Sequence, residues 1–176
     1  RLGCHIINDI SGGTIDERIM TVVAKNHVPY ILMHIRGTPH NMMNFASYKD
    51  PVNEVLIELL ERVQKAISYN ICDIIIDPGF GFAKKPEQNW QILTRLQVFG
   101  FTGLPLLVGI SRKSMIYKVL NISPDDALYG TIYANVIAIL KGAAILRVHD
   151  PLPLSHIRHL LHYTMEKNQN FKLPLN

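Results

Sequence analysis

One unit recurs along this chain: a short apolar run, a polar or glycine-bearing loop, then an amphipathic stretch of helical period. It occurs five times. The apolar runs predict strands at His5–Ile10, Pro29–His34, Cys72–Asp77, Pro105–Ile110 and Ala144–His149, with a helix expected in every gap. Thr14-Ile15-Asp16-Glu17 has the form of a capping box ahead of the first helix, and Asp50-Pro51 supplies an N-cap with proline at the first helical position of the second. In that second helix Val55, Leu56, Leu59, Leu60, Val63 and Ile67 recur at helical spacing and should pack on a sheet. Pro86, Ser123-Pro124-Asp125-Asp126 and Asp150-Pro151 each open a further helix, the last turning Ile157, Leu160 and Leu161 inward. Strict β-α alternation requires a parallel sheet, either open and doubly wound or closed as a (β/α)8 barrel.

Side-chain parity separates the two. Arg147 and His149 share a strand face with Ile145, while Leu146 and Val148 face the other way. Asn8 above Ile6 and Asp77 above Ile75 repeat this order, aliphatic below and polar above, as the interior of a barrel requires. The expected fold is therefore α/β, a TIM-type barrel represented by about five β-α units in one domain over residues 1–176. A complete barrel has eight strands and about 250 residues. The sequence also starts at Arg1-Leu2-Gly3-Cys4, which reads as the end of a helix entering a strand. The expectation is that three N-terminal units are absent, that the inner faces of Ile6, Ile75 and Ile145 are exposed, and that the isolated chain is inactive.

The stretch Ile76-Asp77-Pro78-Gly79-Phe80-Gly81-Phe82-Ala83-Lys84 concentrates the chemistry. A buried strand ends in a carboxylate and becomes a loop in which Gly79 and Gly81 permit a tight turn and close approach of a ligand. Phe80 and Phe82 are expected to offer flat faces to something planar. In parallel α/β folds, ligands gather at this carboxyl end of the strands.

Composition excludes several classes of function. The chain is 48% hydrophobic and 18% charged, with a net charge of +4. Its Lys and Arg residues are scattered, so no nucleic-acid surface is expected. No uncharged apolar run is long enough for a membrane span. Cys4 and Cys72 match neither a zinc ribbon nor a redox pair and are expected to be reduced core thiols of a cytoplasmic protein. His156, His159 and His162 in the last helix lack Cys, Asp or a fourth ligand, so a solvated face is expected rather than a metal site.

Ile6-Ile7-Asn8-Asp9-Ile10-Ser11-Gly12-Gly13, Met33-His34-Ile35-Arg36-Gly37-Thr38-Pro39, Asp77-Pro78-Gly79-Phe80-Gly81-Phe82, Gly109-Ile110-Ser111-Arg112-Lys113-Ser114 and Leu146-Arg147-Val148-His149-Asp150 together resemble dihydropteroate synthase. The likeness is collinear from Arg1 to about Met165 and implies the fourth to eighth strands of that family's barrel. It implies a transferase of folate biosynthesis that joins p-aminobenzoate to 6-hydroxymethyl-7,8-dihydropterin diphosphate and releases diphosphate. By the same resemblance sulfonamides inhibit it, the protein is a homodimer, and Mg2+ is bound by a residue outside this chain, which supplies no metal ligand of its own.

Residue by residue, the resemblance assigns Asn8, Met33, Asp77 and Lys113 to the pterin, with Asp77 and Lys113 in the catalytic role. Phe82, Lys113 and Ser114 fall to p-aminobenzoate, and Arg147 and His149 to the diphosphate. The residue chemistry agrees: a carboxylate accepts adjacent ring N–H groups, and a guanidinium fork matches phosphate oxygens. Asp9, His34 and Arg36 are expected to serve structure. Two other readings stay open, a pterin-dependent methyltransferase and a non-catalytic pterin- or phosphate-binding module. Ser111-Arg112-Lys113-Ser114 argues against the methyltransferase, which has no p-aminobenzoate carboxylate to hold.

Overall fold

A computed structural model describes residues 3–167. The reading of Arg1 and Leu2 as a helix end lies outside the described residues. Strands β1 (Ile7–Asp9), β2 (Tyr30–Met33), β3 (Ile74–Asp77), β4 (Leu107–Val108) and β5 (Ile145–Leu146) alternate with helices α1 (Arg18–Asn26), α2 (Pro51–Ser68), α3 (Pro86–Thr94), α4 (Ser114–Leu120), α5 (Leu128–Leu140) and α6 (Pro151–Lys167). All strand pairs are parallel and follow chain order, with the Ile76–Leu106 bridge linking β3 to β4. Each observed strand lies inside its expected run.

The two faces of the sheet carry different partners. Outward residues Tyr30, Leu32, Ile74, Ile76 and Val108 join one core with Val23 of α1, Leu59 of α2, Ile92 of α3, Ile116 of α4 and Ala134 of α5. Inward residues Ile31, Ile75 and Leu107 touch one another and form a small separate cluster. Helices cover one face only, so the sheet is a partial α/β barrel and not a doubly wound layer. Ile6 and Ile145 are 49% and 37% exposed on the inner side, as expected. Ile75 is not: flanked by Ile31 and Leu107, it is buried.

Local signals were used unevenly. Asp50 caps α2 as expected, its Oδ1 accepting from the N–H groups of Val52 and Asn53 at 3.0 and 3.3 Å. Along α2 the buried face runs through Val52, Val55, Leu59, Val63 and Ala66, whereas Leu60 and Ile67 are exposed. The capping box at Thr14 is not formed. Thr14 Oγ1 donates back to the Ser11 carbonyl at 2.8 Å, and α1 begins at Arg18 without a side-chain cap. Ser123 and Asp126 bond each other in a turn that precedes α5, which starts at Leu128. In α6, Leu154 is buried and Ile157 and Leu161 are half-buried, whereas Leu160, expected to turn inward with them, is exposed. Cys4 and Cys72 are exposed thiols and not core. No helix among the described residues is long and apolar enough to cross a membrane.

Candidate functional site

Because every strand is parallel, the carboxyl ends of all five present their last side chains on one rim. Asp77 ends β3 with its side chain 1% exposed. Its Oδ1 accepts from the Gly79 N–H at 2.8 Å, and its Oδ2 accepts from Arg147 Nη2 at 2.8 Å. The other guanidinium nitrogen of Arg147, Nη1, donates to Asn8 Oδ1 at 2.9 Å. Three residues from β1, β3 and the end of β5 are thus joined across the inner face, although Asn8 and Arg147 are 139 positions apart. Gly109 makes room for this: a Cβ there would lie 2.7 Å from Arg147 Nη2.

The loop after Asp77 is shaped by its glycines. Gly79 has φ +69°, and a Cβ would meet the His34 carbonyl oxygen at 2.0 Å, so only glycine fits. Phe82 is half-buried and accessible to a ligand, whereas Phe80 is 1% exposed and belongs to the core, contrary to expectation. Met33 is fully buried with Ile35 and Ala83, against one side of the half-buried Phe82, so it backs the loop and offers no open face.

Lys113 reaches the same space from the β4 side. Its ammonium donates to the Phe80 carbonyl and stands 4.9 Å from the centre of the Phe82 ring. Burial pushes Lys113 down to about 8; nearby Asp77 opposes that shift and Arg147 adds to it. Ser114 follows as the first residue of α4 and is half-buried. His149 is exposed, and the buried Ser111 Oγ lies 3.0 Å from its Nδ1 and 3.3 Å from its backbone N.

The side chains of Asn8, Asp77 and Arg147 are therefore brought into direct contact. Lys113 and Phe82 form a second pair beside them, and Met33 lies beneath. Asp9, set aside in the sequence reading, accepts from the N–H groups of Ser11 and Gly13 and from the Tyr30 hydroxyl, which shapes the β1 loop. Arg36 pairs with Glu54 and Glu58. Sequence reasoning gave no role of their own to Ser111, Gly109, Asn89 and Lys84, although all but Asn89 lie in the stretches it singled out. Asn89 Oδ1 accepts from the Gly81 N–H at 2.8 Å, eight positions away, and so pins the loop from α3. The available signal for Lys84 was a cation closing an otherwise apolar glycine loop. Among the described residues no group of three or more His, Cys, Asp or Glu could hold a metal ion. His162 on α6 pairs instead with Glu166 at 3.0 Å.

A family model described as pterin binding enzyme matches residues 1–149. The dihydropteroate synthase of Synechocystis is 42% identical over 158 residues, which cover 88% of this chain and 55% of the relative. The Escherichia coli dihydropteroate synthase is 36% identical over 172 residues, 97% of this chain and 61% of the relative. This chain thus spans between 55% and 61% of the length of these two curated relatives. The crystal structure of dihydropteroate synthase from Thermus thermophilus, solved also in complex with 6HMPPP and with 4-aminobenzoate, superposes with a TM-score of 0.88 at 35% identity over 92% of this chain and 65% of its own in the 6HMPPP complex. The extent of the family match, together with the Asn8, Asp77 and Arg147 constellation on a partial α/β barrel, places this chain in the pterin-binding enzyme family.

Proposed function

We propose that the protein carrying this chain is a dihydropteroate synthase and that residues 1–176 form part of its single pterin-binding barrel domain. The observation that carries the reading is the buried Asp77 carboxylate, bonded through Arg147 to Asn8 and set beside Lys113 at the strand carboxyl ends. In the proposed reaction the amine nitrogen of p-aminobenzoate attacks the methylene carbon of the dihydropterin diphosphate. A C–N bond forms, the C–O bond breaks with its electron pair leaving on the diphosphate oxygen, and the amine passes one proton to water. Asp77 accepts N–H bonds from the pterin, Asn8 meets its mixed donor and acceptor edge, and Lys113 donates to the ring. Phe82 packs on the benzoate ring and Ser114 receives its carboxylate, while Arg147 and His149 hold the leaving diphosphate. Mg2+ is proposed as the cofactor. Among the described residues no group of three or more His, Cys, Asp or Glu could hold it, and its ligand is proposed to lie outside this chain. The full-length protein is expected to release diphosphate only when both substrates are present and to be inhibited by sulfonamides in competition with p-aminobenzoate. Release independent of p-aminobenzoate overturns the assignment.

Lys113 makes the reading sensitive to pH. Because burial brings it down to about 8, its ammonium is lost as pH rises through that value. Pterin affinity should fall over the same interval, and Lys113→Arg should flatten the fall because guanidinium stays charged. For stability the sign is opposite. The fold is penalised while Lys113 is charged, so stability is gained as pH climbs from about 8 toward the ordinary lysine value of 10.5. Calorimetric titration of the pterin across this range, with thermal melts alongside, checks both directions. A pterin affinity that is flat in the wild type removes Lys113 from the pterin subsite.

A further inference from the structure

Beneath the Asp77 loop lies a buried cation that the proposed reaction does not use. Lys84 is 3% exposed. Its Nζ meets the Gly79 carbonyl at 3.1 Å, the Phe82 carbonyl at 3.0 Å and His34 Nδ1 at 2.9 Å. An ammonium has three donors and no acceptor, so these contacts use all of it. They also determine the state of His34. With Nδ1 accepting, the neutral ring carries its proton on Nε2, which lies 3.0 Å from Glu58 Oε2. His34 is fully buried, and burial pushes it down to about 3, in keeping with a neutral ring. Glu58 Oε1 in turn accepts from Arg36 Nε at 2.8 Å. Helix α2 is thereby tied, through His34 and Lys84, to the loop that follows β3.

The Gly79 peptide carries this connection to the site. Its carbonyl receives Lys84 and the Phe82 N–H, and its own N–H reaches Asp77 Oδ1 at 2.8 Å. With Oδ1 engaged in this way, Oδ2 is the carboxylate oxygen turned to the inner face and to Arg147. A neutral side chain of similar length would fill the same space, whereas burial opposes the charge of Lys84 and Asp77 favours it.

We propose that Lys84 and His34 are a positioning pair that sets the orientation of the Asp77 carboxylate for recognition of the heterocycle, acting through the Gly79 peptide. The proposal rests on the reading of Asp77 as the pterin acceptor. In the full-length protein, 15N spectra should show His34, identified by its loss in His34→Leu, as the Nε2–H tautomer with Nδ1 accepting a bond. The opposite tautomer overturns the pair. Lys84→Met keeps chain length and removes all three donors. Its affinity for 6-hydroxymethyl-7,8-dihydropterin should fall about tenfold or more, while its affinity for inorganic diphosphate changes less than about twofold. Equal loss of both ligands overturns positioning in favour of general support of the fold.

His34→Leu should copy the pterin defect if Lys84→Met does not fold. His34→Asn, whose side-chain oxygen can still accept from Lys84, should restore affinity to within about threefold of wild type. Unchanged pterin affinity in both Lys84→Met and His34→Leu overturns the proposal. Asp77→Ala run in parallel separates the two levels: loss there alone defeats only the positioning role, and loss nowhere defeats the Asp77 reading beneath it.

Discussion

Replacing Asp77 with alanine should abolish measurable binding of 6-hydroxymethyl-7,8-dihydropterin while leaving the barrel wall folded. The carboxylate is proposed to accept two hydrogen bonds from the ligand. Bonds to a charged acceptor contribute about 1.5–3 kcal/mol each, so their loss corresponds to an affinity change on the order of a hundredfold to ten-thousandfold. Asp77→Asn should be nearly as harmful because one acceptor oxygen becomes an NH2 donor, which would face both the pterin N–H groups and Arg147 Nη2. The fold is less exposed to this change. The Asp77 side chain bonds only the Gly79 N–H and Arg147 among the described residues, and the Arg147 side chain is 41% exposed, so water can replace its lost partner. The orphaned Gly79 N–H costs about 1–3 kcal/mol, which thermal melts would register as a moderate shift. Calorimetry with the bare pterin reads the binding term directly. Wild-type affinity in either variant removes Asp77 from the site.

The strand ends that build this site were legible in the sequence because two physical signals coincided there. β-branched runs such as Ile74-Ile75-Ile76 can only be covered strands, and period-two parity then put Asn8, Asp77 and Arg147 on one face. Parity says nothing about which of those side chains meet. That Arg147 spans Asn8 and Asp77 depends on the curvature of the sheet and on the bare Gly109 backbone.

The departures from expectation have three physical causes: a partner distant in the chain, a competitor for a local bond, or an apolar face left uncovered. Phe80 is drawn into the core, Thr14 is taken by the Ser11 carbonyl before it can cap, and Leu60 and Ile67 lie at the edge of the α2 stripe, where none of the described elements covers them. Lys84 draws no role from its place in the sequence, because a lysine is buried only where acceptors converge on it, and three do so here. One of them is His34, fifty positions upstream. Ser111 and Asn89 carry no local signal of their contacts for the same reason, since their hydrogen-bonding partners in the site become adjacent only in the folded chain.

Arg147 should show the second large effect, and of a different kind. Its guanidinium bonds Asn8 and Asp77, two of the three proposed pterin residues, and it is also the proposed diphosphate fork. Arg147→Met removes a planar, permanently charged donor set from the place where negative charge accumulates as the C–O bond to diphosphate breaks. The kcat/KM for the diphosphate substrate should fall by about a thousandfold, in line with removing a preorganised charged donor. Bare 6-hydroxymethyl-7,8-dihydropterin should lose less than about tenfold, since Asp77, Asn8 and Lys113 all stay. Arg147→Lys should recover only part of the rate. A single ammonium cannot reach Asn8 and Asp77 together, and it lacks the fork that matches phosphate oxygens. Stability should change less than rate. Breaking a fully buried ion pair costs roughly 3–5 kcal/mol and an exposed one roughly 1 kcal/mol or less; Arg147 is 41% exposed but the Asp77 carboxylate left behind is 1% exposed and keeps only the Gly79 N–H, so the cost falls between the two. Steady-state diphosphate release, set beside calorimetry with inorganic diphosphate and with the bare pterin, distinguishes the outcomes. If Arg147→Met keeps kcat/KM within about fivefold of wild type, less than the loss expected for one charged donor, the leaving group is held elsewhere and Arg147 serves only to pair with Asp77.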